Sequence, residues 1–442
     1  LSNRDHGSVS PYGEPERDRT AIVIATALVS RLLLVLYAKV YFAPGWFFSR
    51  GLEMGLLADS FLRGKGLSSP FGMETGPTAI VAPGYPLLVS FVFRLFGSYT
   101  SASALCLMLF GAVCNVATAY LIYRLSRTIA SERSAFFVSI FWTCSLPLIW
   151  MPTIFWETNL SALCPIGLAS LLLSRRRDTT KFWCVCGMLC GTAALFNPAL
   201  APCLTLIVIY TLFKAPALAK RWRFVSVWSL GAVLLYSPWP LRNARVFHAC
   251  VLTRTTVGLE LWMGNNEHAT GFLDTSLFPT YNQAELADYR ARGEIDYMAH
   301  KGQMAADFIH AHPSIFLTMS ARRVLRFWTG TGTSGGSVLF GLHATLTLIL
   351  GGFGLALLWQ GARRDICLTM LIPLLVFPLP YYITHAEFRY RLVVDPVLTV
   401  LAAPAINWLL RKRWQSAGTW ATNIAPGALQ RSSAAMEEKS PN

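Results

Sequence analysis

Two acids, Glu53 and Glu157, and a group of basic residues stand where charge is unusual in this chain, at or just beyond the ends of long apolar runs, and a third acid, Glu260, lies in a longer segment between two such runs. Glu53 lies in "SRGLEMGLLADSFLRGKGLSSPF" (49–71), directly after "AIVIATALVSRLLLVLYAKVYF"; Glu157 lies in "WETNLSAL", and Glu260 in "GLELWMGNN". Arg242 follows "SPWP", and His385, Arg389 and Arg391 share "THAEFRYR". A carboxylate at such an edge can take a proton from a hydroxyl as a general base. Guanidinium forks match phosphate oxygens bidentately. Glu260, Asn265 and Asn266 supply acceptors and donors for a hydroxyl-rich ligand, with Trp262 as a stacking face. Each residue also has a plain structural alternative. Glu53 has the alternative of a solvated loop acid, and Glu157 reads equally as an interface-exposed one. The arginines read as salt-bridge partners of Glu387 or Asp395 or as headgroup contacts, and the asparagines as a capped turn. Asp59, one and a half turns beyond Glu53, reads better as a helix partner than as a base.

The elements that must position these groups follow from composition. Of 442 residues, 54% are hydrophobic and 14% charged, against about 25% charged in soluble domains. Apolar runs close to the ~20 residues that cross a bilayer recur along the chain. We place ten spans at roughly 21–42, 101–123, 135–151, 158–173, 182–196, 198–213, 224–241, 337–359, 366–384 and 392–410. Backbone must stay hydrogen-bonded in lipid, so these runs are helices.

Counting ten puts Arg124, Arg127 and Arg133, Arg175–Arg177 and Lys181, Lys214, Lys220, Arg221 and Arg223, Arg363 and Arg364, and Arg411–Arg413 on one side. By the positive-inside rule that side is the cytoplasm, and both termini are cytoplasmic. The same distribution accounts for the formal charge of +15 without nucleic acid. The apolar stretch 83–97 would invert this order if it spanned, and at its length it reads as an interfacial or re-entrant helix. Two large segments, 43–100 and 242–336, then face outward, the second with amphipathic helices along the membrane surface. Residues 1–20 and 411–442 read as disordered cytoplasmic tails around a folded body at 21–410. The first run, flanked by Arg17 and Arg19, reads as a retained span rather than a cleaved signal peptide.

Nine of the ten cysteines fall in or at the edge of apolar runs, and "CVCGMLC" (184–190) matches no zinc spacing, so they read as small hydrophobes. "TGTSGGS" (331–337) follows no strand and reads as a linker. The outer segments hold no HxxxH and no DxD, which leaves the metal unknown and a divalent ion open.

Several stretches together resemble the GT-C class of membrane glycosyltransferases, specifically the family-39-like enzymes that use polyprenyl-phosphate sugars. They are "EMGLLADSFLRGKGLSSPFG", "GPTAIVAPGYPLLVSFVFRLFG", "WETNLSAL", "FNPALA", "PWPLRNARVF", "GLELWMGNN" and "YYITHAEFRYRLVVDPVL", in that order over about 40–410. Protein O-mannosyltransferases and aminoarabinose transferases of lipid A share this architecture. The resemblance implies an all-α polytopic membrane protein of about ten transmembrane helices, with interfacial helices in two large outer loops. It implies a polyprenyl-phosphate sugar donor, an envelope acceptor (lipid, glycan or protein) and transfer with inversion at the outer or periplasmic face, and a sequence without an organelle signal suits a bacterial inner membrane. It makes Glu53 the catalytic base. Arg50 stands where a second family acid would fall. Sugar and phosphate then fall to Glu157, Arg242, Glu260, Asn265, Asn266, His385, Arg389 and Arg391. A transporter or flippase of a lipid-linked sugar is the competing class; against it, the halves show no repeat and the polar residues gather at one face rather than the midplane. A non-catalytic lipid-binding subunit is a third reading, permitted by the lone acid.

Overall fold

The computed structural model describes residues 18–173, 179–214, 218–271, 273–330, 337–361 and 364–437, with side chains described as far as Lys412. Arg175–Arg177, the linker at 331–336, most of the 1–20 tail and residues 438–442 lie outside the described residues, whereas the backbone of 411–437, expected as a disordered tail, continues the helix Phe388–Glu437. The structure is 78% helical, and among the described residues there is no strand, only a bridge between Ser68 and Pro77.

Every one of the ten apolar runs forms a helix, which follows from their length and apolarity. Among the described residues five helices are long and apolar enough to cross a membrane: Thr20–Tyr41, Ser101–Ser126, Val338–Gln360, Arg364–Ile383 and Phe388–Lys412. Two bent pairs raise the number to seven, Glu132–Cys144 with Leu146–Thr153 at 65° and Arg221–Tyr236 with Pro238–Phe247 at 45°. Pro147 and Pro238 sit just past these breaks, where a missing N–H and a fixed φ interrupt a helix. The tenfold reading requires Thr158–Leu172, Thr180–Phe196 and Leu200–Phe213 to cross as well, and each is shorter than a full span. The chain is an integral membrane protein whose spans differ in length and straightness. The helix Gly84–Phe96 buries Tyr85, Val89, Val92 and Phe93 and exposes Leu87, Phe91, Leu95 and Phe96, a division suited to lying at an interface.

Small residues decide how closely the helices approach. A Cβ on Gly187 would lie 2.0 Å from Trp228 O, and one on Gly191 would lie 2.5 Å from Ala232 O. Gly231 returns the contact, its Cβ position 2.5 Å from Cys184 O. Helices in lipid associate through such close packing, because burial from water no longer drives them. Gly187→Leu is therefore expected to destabilise the protein by about 1–3 kcal/mol, from overpacking alone. Thermal unfolding in detergent reads this, and an unchanged Tm would count against the pairing. The neighbouring cysteines pack here as the sequence suggests, and all ten are free thiols.

Two apolar cores result. One unites the membrane helices around Trp142, Ile166, Leu204 and Val397; the other unites the two outer segments around Phe48, Phe71, Phe155, Tyr289 and Tyr297. Outer segments far apart in sequence are thus one body. Phe71 packs edge-on to Phe278 and Tyr289 at 5.4 and 4.9 Å. Buried Glu294 accepts from Ala79 N, Thr255 Oγ1 and Tyr289 OH, each at 2.7 Å. The functional question lies where the two cores meet.

Candidate active site

A cavity of about 1430 Å³ opens between the outer body and the membrane helices. Its polar wall carries Glu53, Glu157, Glu260, His385, Glu387 and Arg389, joined by Arg50 and Arg254.

Glu53 enters this wall because the helix Leu52–Leu62 begins there. The preceding residue, Gly51, is its N-cap, and a Cβ on Gly51 would fall 2.2 Å from Phe155 O. Only glycine allows that approach, and it sets the first turn of the helix, with Glu53, against the cavity. Burial pushes the Glu53 carboxyl above its ordinary value; its own backbone N–H and Arg389 pull it down, and Glu260 and Glu387 push it up again. Glu157 is the N-cap residue of Thr158–Leu172, and burial raises it too, against the pull of its backbone N–H, Arg389 and Arg254. Neither acid has a side-chain hydrogen-bond partner among the described residues. Both carboxylates are left to a ligand.

Arg389 stands between them and a bonded chain. Its Nε donates to Glu387 Oε2 at 2.5 Å and its Nη2 to Tyr390 OH at 3.2 Å, while its guanidinium lies 4.3 Å over the Trp156 ring. Burial alone would raise the Glu387 carboxyl; Arg389 and His385 outweigh it and hold that acid below its ordinary value. Tyr390 stacks on Tyr381 at 4.0 Å and meets His385 Nε2 at 3.0 Å. Glu260 Oε2 lies 3.1 Å from His385 Nδ1, though without hydrogen-bond alignment. Arg254 lines the same wall with no hydrogen bond among the described residues.

Other residues singled out from the sequence, Arg242, Arg391, Asn265 and Asn266, lie outside the cavity wall. Arg242 is outside the cavity: Nη1 donates to Thr78 O at 2.9 Å and Nη2 to Leu67 O at 3.0 Å, so it ties the outer segments together. Arg391 is buried and bound to Asp395, the salt bridge named as its alternative. Asn265 donates to Leu261 O and Ile383 O, both at 2.9 Å, and Asn266 caps a turn by donating to Trp262 O at 2.9 Å and accepting from His268 N at 2.8 Å. Their effect on the cavity is indirect. Gly264 lies so close to Thr384 O that a Cβ would fall 1.8 Å from it, and buried Arg323 donates to Gly264 O, Asn265 Oδ1 and Ile383 O. This clamp holds the Glu260 helix, Val257–Gly264, against the His385 loop. Asp59 pairs with Arg63 at 2.7 Å outside the cavity.

Arg254, Trp156 and Tyr390 were not singled out by the sequence, and Arg50 was named there only as standing where a second family acid would fall. Arg254 had a legible signal, since it is an outward arginine like the others. Arg50 stacks at 4.8 Å on Trp46, another wall residue, and its carbonyl accepts from Trp156 Nε1 at 3.2 Å. Among the described residues no three His, Cys, Asp or Glu side chains converge to hold a metal ion. Glu387 is committed to Arg389 and Glu260 faces His385, so the residues as placed do not form a ligand set.

This fold is GT-C-like. It is similar to the oligosaccharyltransferase of Archaeoglobus fulgidus in a complex with Zn and sulfate, at a TM-score of 0.52 and 13% identity, covering 92% of this chain and 51% of that one. The apo form of the same enzyme aligns at 0.51 and 13% identity over 87% of this chain and 50% of that one. The chain therefore spans about half the length of these two structures. No family model matches the sequence, and no curated protein matches it.

Proposed function

We propose that the protein is a membrane glycosyltransferase that moves a sugar from a polyprenyl-phosphate donor to a hydroxyl of an envelope acceptor, with inversion. One observation carries this: the unpartnered acids Glu53 and Glu157 and the cations Arg389 and Arg254 line a single cavity that continues into an apolar arm. The fold likeness to an oligosaccharyltransferase supports the same class.

In this reading Glu53 takes the acceptor proton as the acceptor oxygen bonds to the sugar carbon. The bond from that carbon to the phosphate oxygen breaks, and polyprenyl phosphate leaves with the electron pair. Arg389 and Arg254 offset the charge developing on the leaving oxygen. Glu157 and Glu260 accept from sugar hydroxyls, and Trp156 offers a ring face. His385 orients Tyr390 and, through it, Arg389. The basic loops place both termini in the cytoplasm and the cavity at the outer face, as in a bacterial inner membrane.

The test uses purified protein, radiolabelled polyprenyl-phosphate sugar and an envelope extract. Label is expected in an extract component with equal release of polyprenyl phosphate. Donor that crosses a vesicle membrane with its sugar still attached would make the protein a transporter instead. The pH profile is a second check. Burial favours the protonated form of Glu53, and a base must be deprotonated, so kcat/KM is expected to fall as pH drops through a value above the ordinary 4.5 of a glutamate. Arg389 favours the carboxylate, so Arg389→Ala should move this acid limb to higher pH. A limb at or below 4.5 would exclude Glu53 as the base.

A further inference from the structure

A chain of buried polar groups runs through the membrane core beside the cavity without lining it. Ser145 Oγ is 2.9 Å from His343 Nδ1, His343 Nε2 is 3.0 Å from Asp395 Oδ2, and Arg391 Nη1 donates to Asp395 Oδ1 at 2.5 Å. Arg391 Nη2 donates to Thr347 Oγ1 at 2.7 Å. His343, Thr347, Arg391 and Asp395 are all at most 5% exposed. With Nε2 donating to the carboxylate, Nδ1 accepts from the Ser145 hydroxyl. The arginine and aspartate charges cancel, which apolar surroundings require.

The members come from three elements, and each is a near neighbour in sequence of an apolar part of the cavity wall. Leu146 and Pro147 follow Ser145 at the 65° break, Leu339 and Phe340 lie one turn before His343, and Leu392 and Val393 fall between Arg391 and Asp395. Leu146 and Leu339 are also each 53% exposed on the apolar outer surface, so this arm of the cavity reaches the lipid-facing side. From the far side of the break, Arg31 donates to Thr143 O and Leu148 O, filling carbonyls the bend leaves free.

A buried ion pair is a weak source of stability, because desolvation offsets its attraction. Its bonds are directional, however, and they set the register of helices that apolar contacts alone would let slide. We infer that Ser145, His343, Asp395 and Arg391 are positioning residues that set the shape of the membrane-side arm and thereby select donors by the length of their isoprenoid chain. This rests on the lipid-phosphate donor proposed above.

Binding of two probes, undecaprenyl phosphate and farnesyl phosphate, to the full chain in nanodiscs tests it without requiring turnover. His343→Leu is expected to weaken undecaprenyl phosphate about tenfold, the size of a lost bond to a charged group, and to leave farnesyl phosphate within about twofold. His343→Gln, which keeps a donor for Asp395, should recover most of the loss. Ser145→Ala, should His343→Leu fail to fold, is expected to weaken the long probe alone by about threefold. Arg389→Ala serves as the contrast and should weaken both probes alike, since it acts on the phosphate. Equal weakening of both probes by the His343 and Ser145 variants, or no change in either, would overturn the inference. Wild-type protein that binds neither probe would remove the lipid-phosphate donor itself, and this selection with it.

Discussion

Glu53→Gln is expected to slow sugar transfer by about 10²–10⁴-fold, the range a positioned general base contributes, with donor affinity little changed. The substitution keeps side-chain volume and hydrogen-bonding capacity and removes only the group that can hold the acceptor proton. It also removes a negative charge that Glu260 and Glu387 already oppose, so an anionic donor loses no partner. Release of polyprenyl phosphate under single-turnover conditions reads the rate, and donor binding is measured separately. A rate within a few-fold of wild type would take the role from Glu53, leaving Glu157 as the other unpartnered acid in the wall.

Arg389→Ala is expected to weaken donor binding by at least about 30-fold, the lower end of what truncating a buried charge partner costs. Nε is anchored by Glu387, Nη2 by Tyr390 OH, and the plane by Trp156, so the remaining Nη1 edge is held ready before a phosphate arrives. Pre-orientation of this kind gives affinity by removing an ordering cost. Arg389→Lys should recover little, because a point charge reproduces neither the fork nor the stack. Direct binding of polyprenyl phosphate measures both, and affinity unchanged by Arg389→Ala would move the phosphate elsewhere in the cavity. Arg391→Ala should act differently. It strips Asp395 of its buried partner and lowers stability before it alters phosphate contact.

The contrast between these two arginines shows how far the residues could be read in advance. Both stand in the first turn of one helix, and both have an acid close in sequence, Glu387 and Asp395. Nothing in their spacing says that Asp395, one turn on, turns Arg391 into the helix packing while Glu387 leaves part of Arg389 facing a cavity. Arg242 carried the same outward-arginine signal, yet backbone carbonyls from residues 67 and 78 hold its guanidinium. Those carbonyls belong to a distant segment, and a local pattern holds no trace of them. Asn265 and Asn266 fall under the capped-turn alternative for the same reason.

Composition and apolar run length by themselves determined that this is a helical membrane protein, and each run they marked is helical, because lipid leaves the backbone no other way to satisfy its hydrogen bonds; the structure supports five to seven of these runs as spans. They also put Glu53 and Glu157 at the ends of such runs, where desolvation makes a carboxylate conspicuous. Tertiary structure alone decided which cations share a cavity with those acids and that the two distant segments 43–100 and 242–336 are one body. Those outcomes depend on contacts between residues hundreds of positions apart, whose geometry is set by close approach at Gly51, Gly187 and Gly264 rather than by any periodic signal.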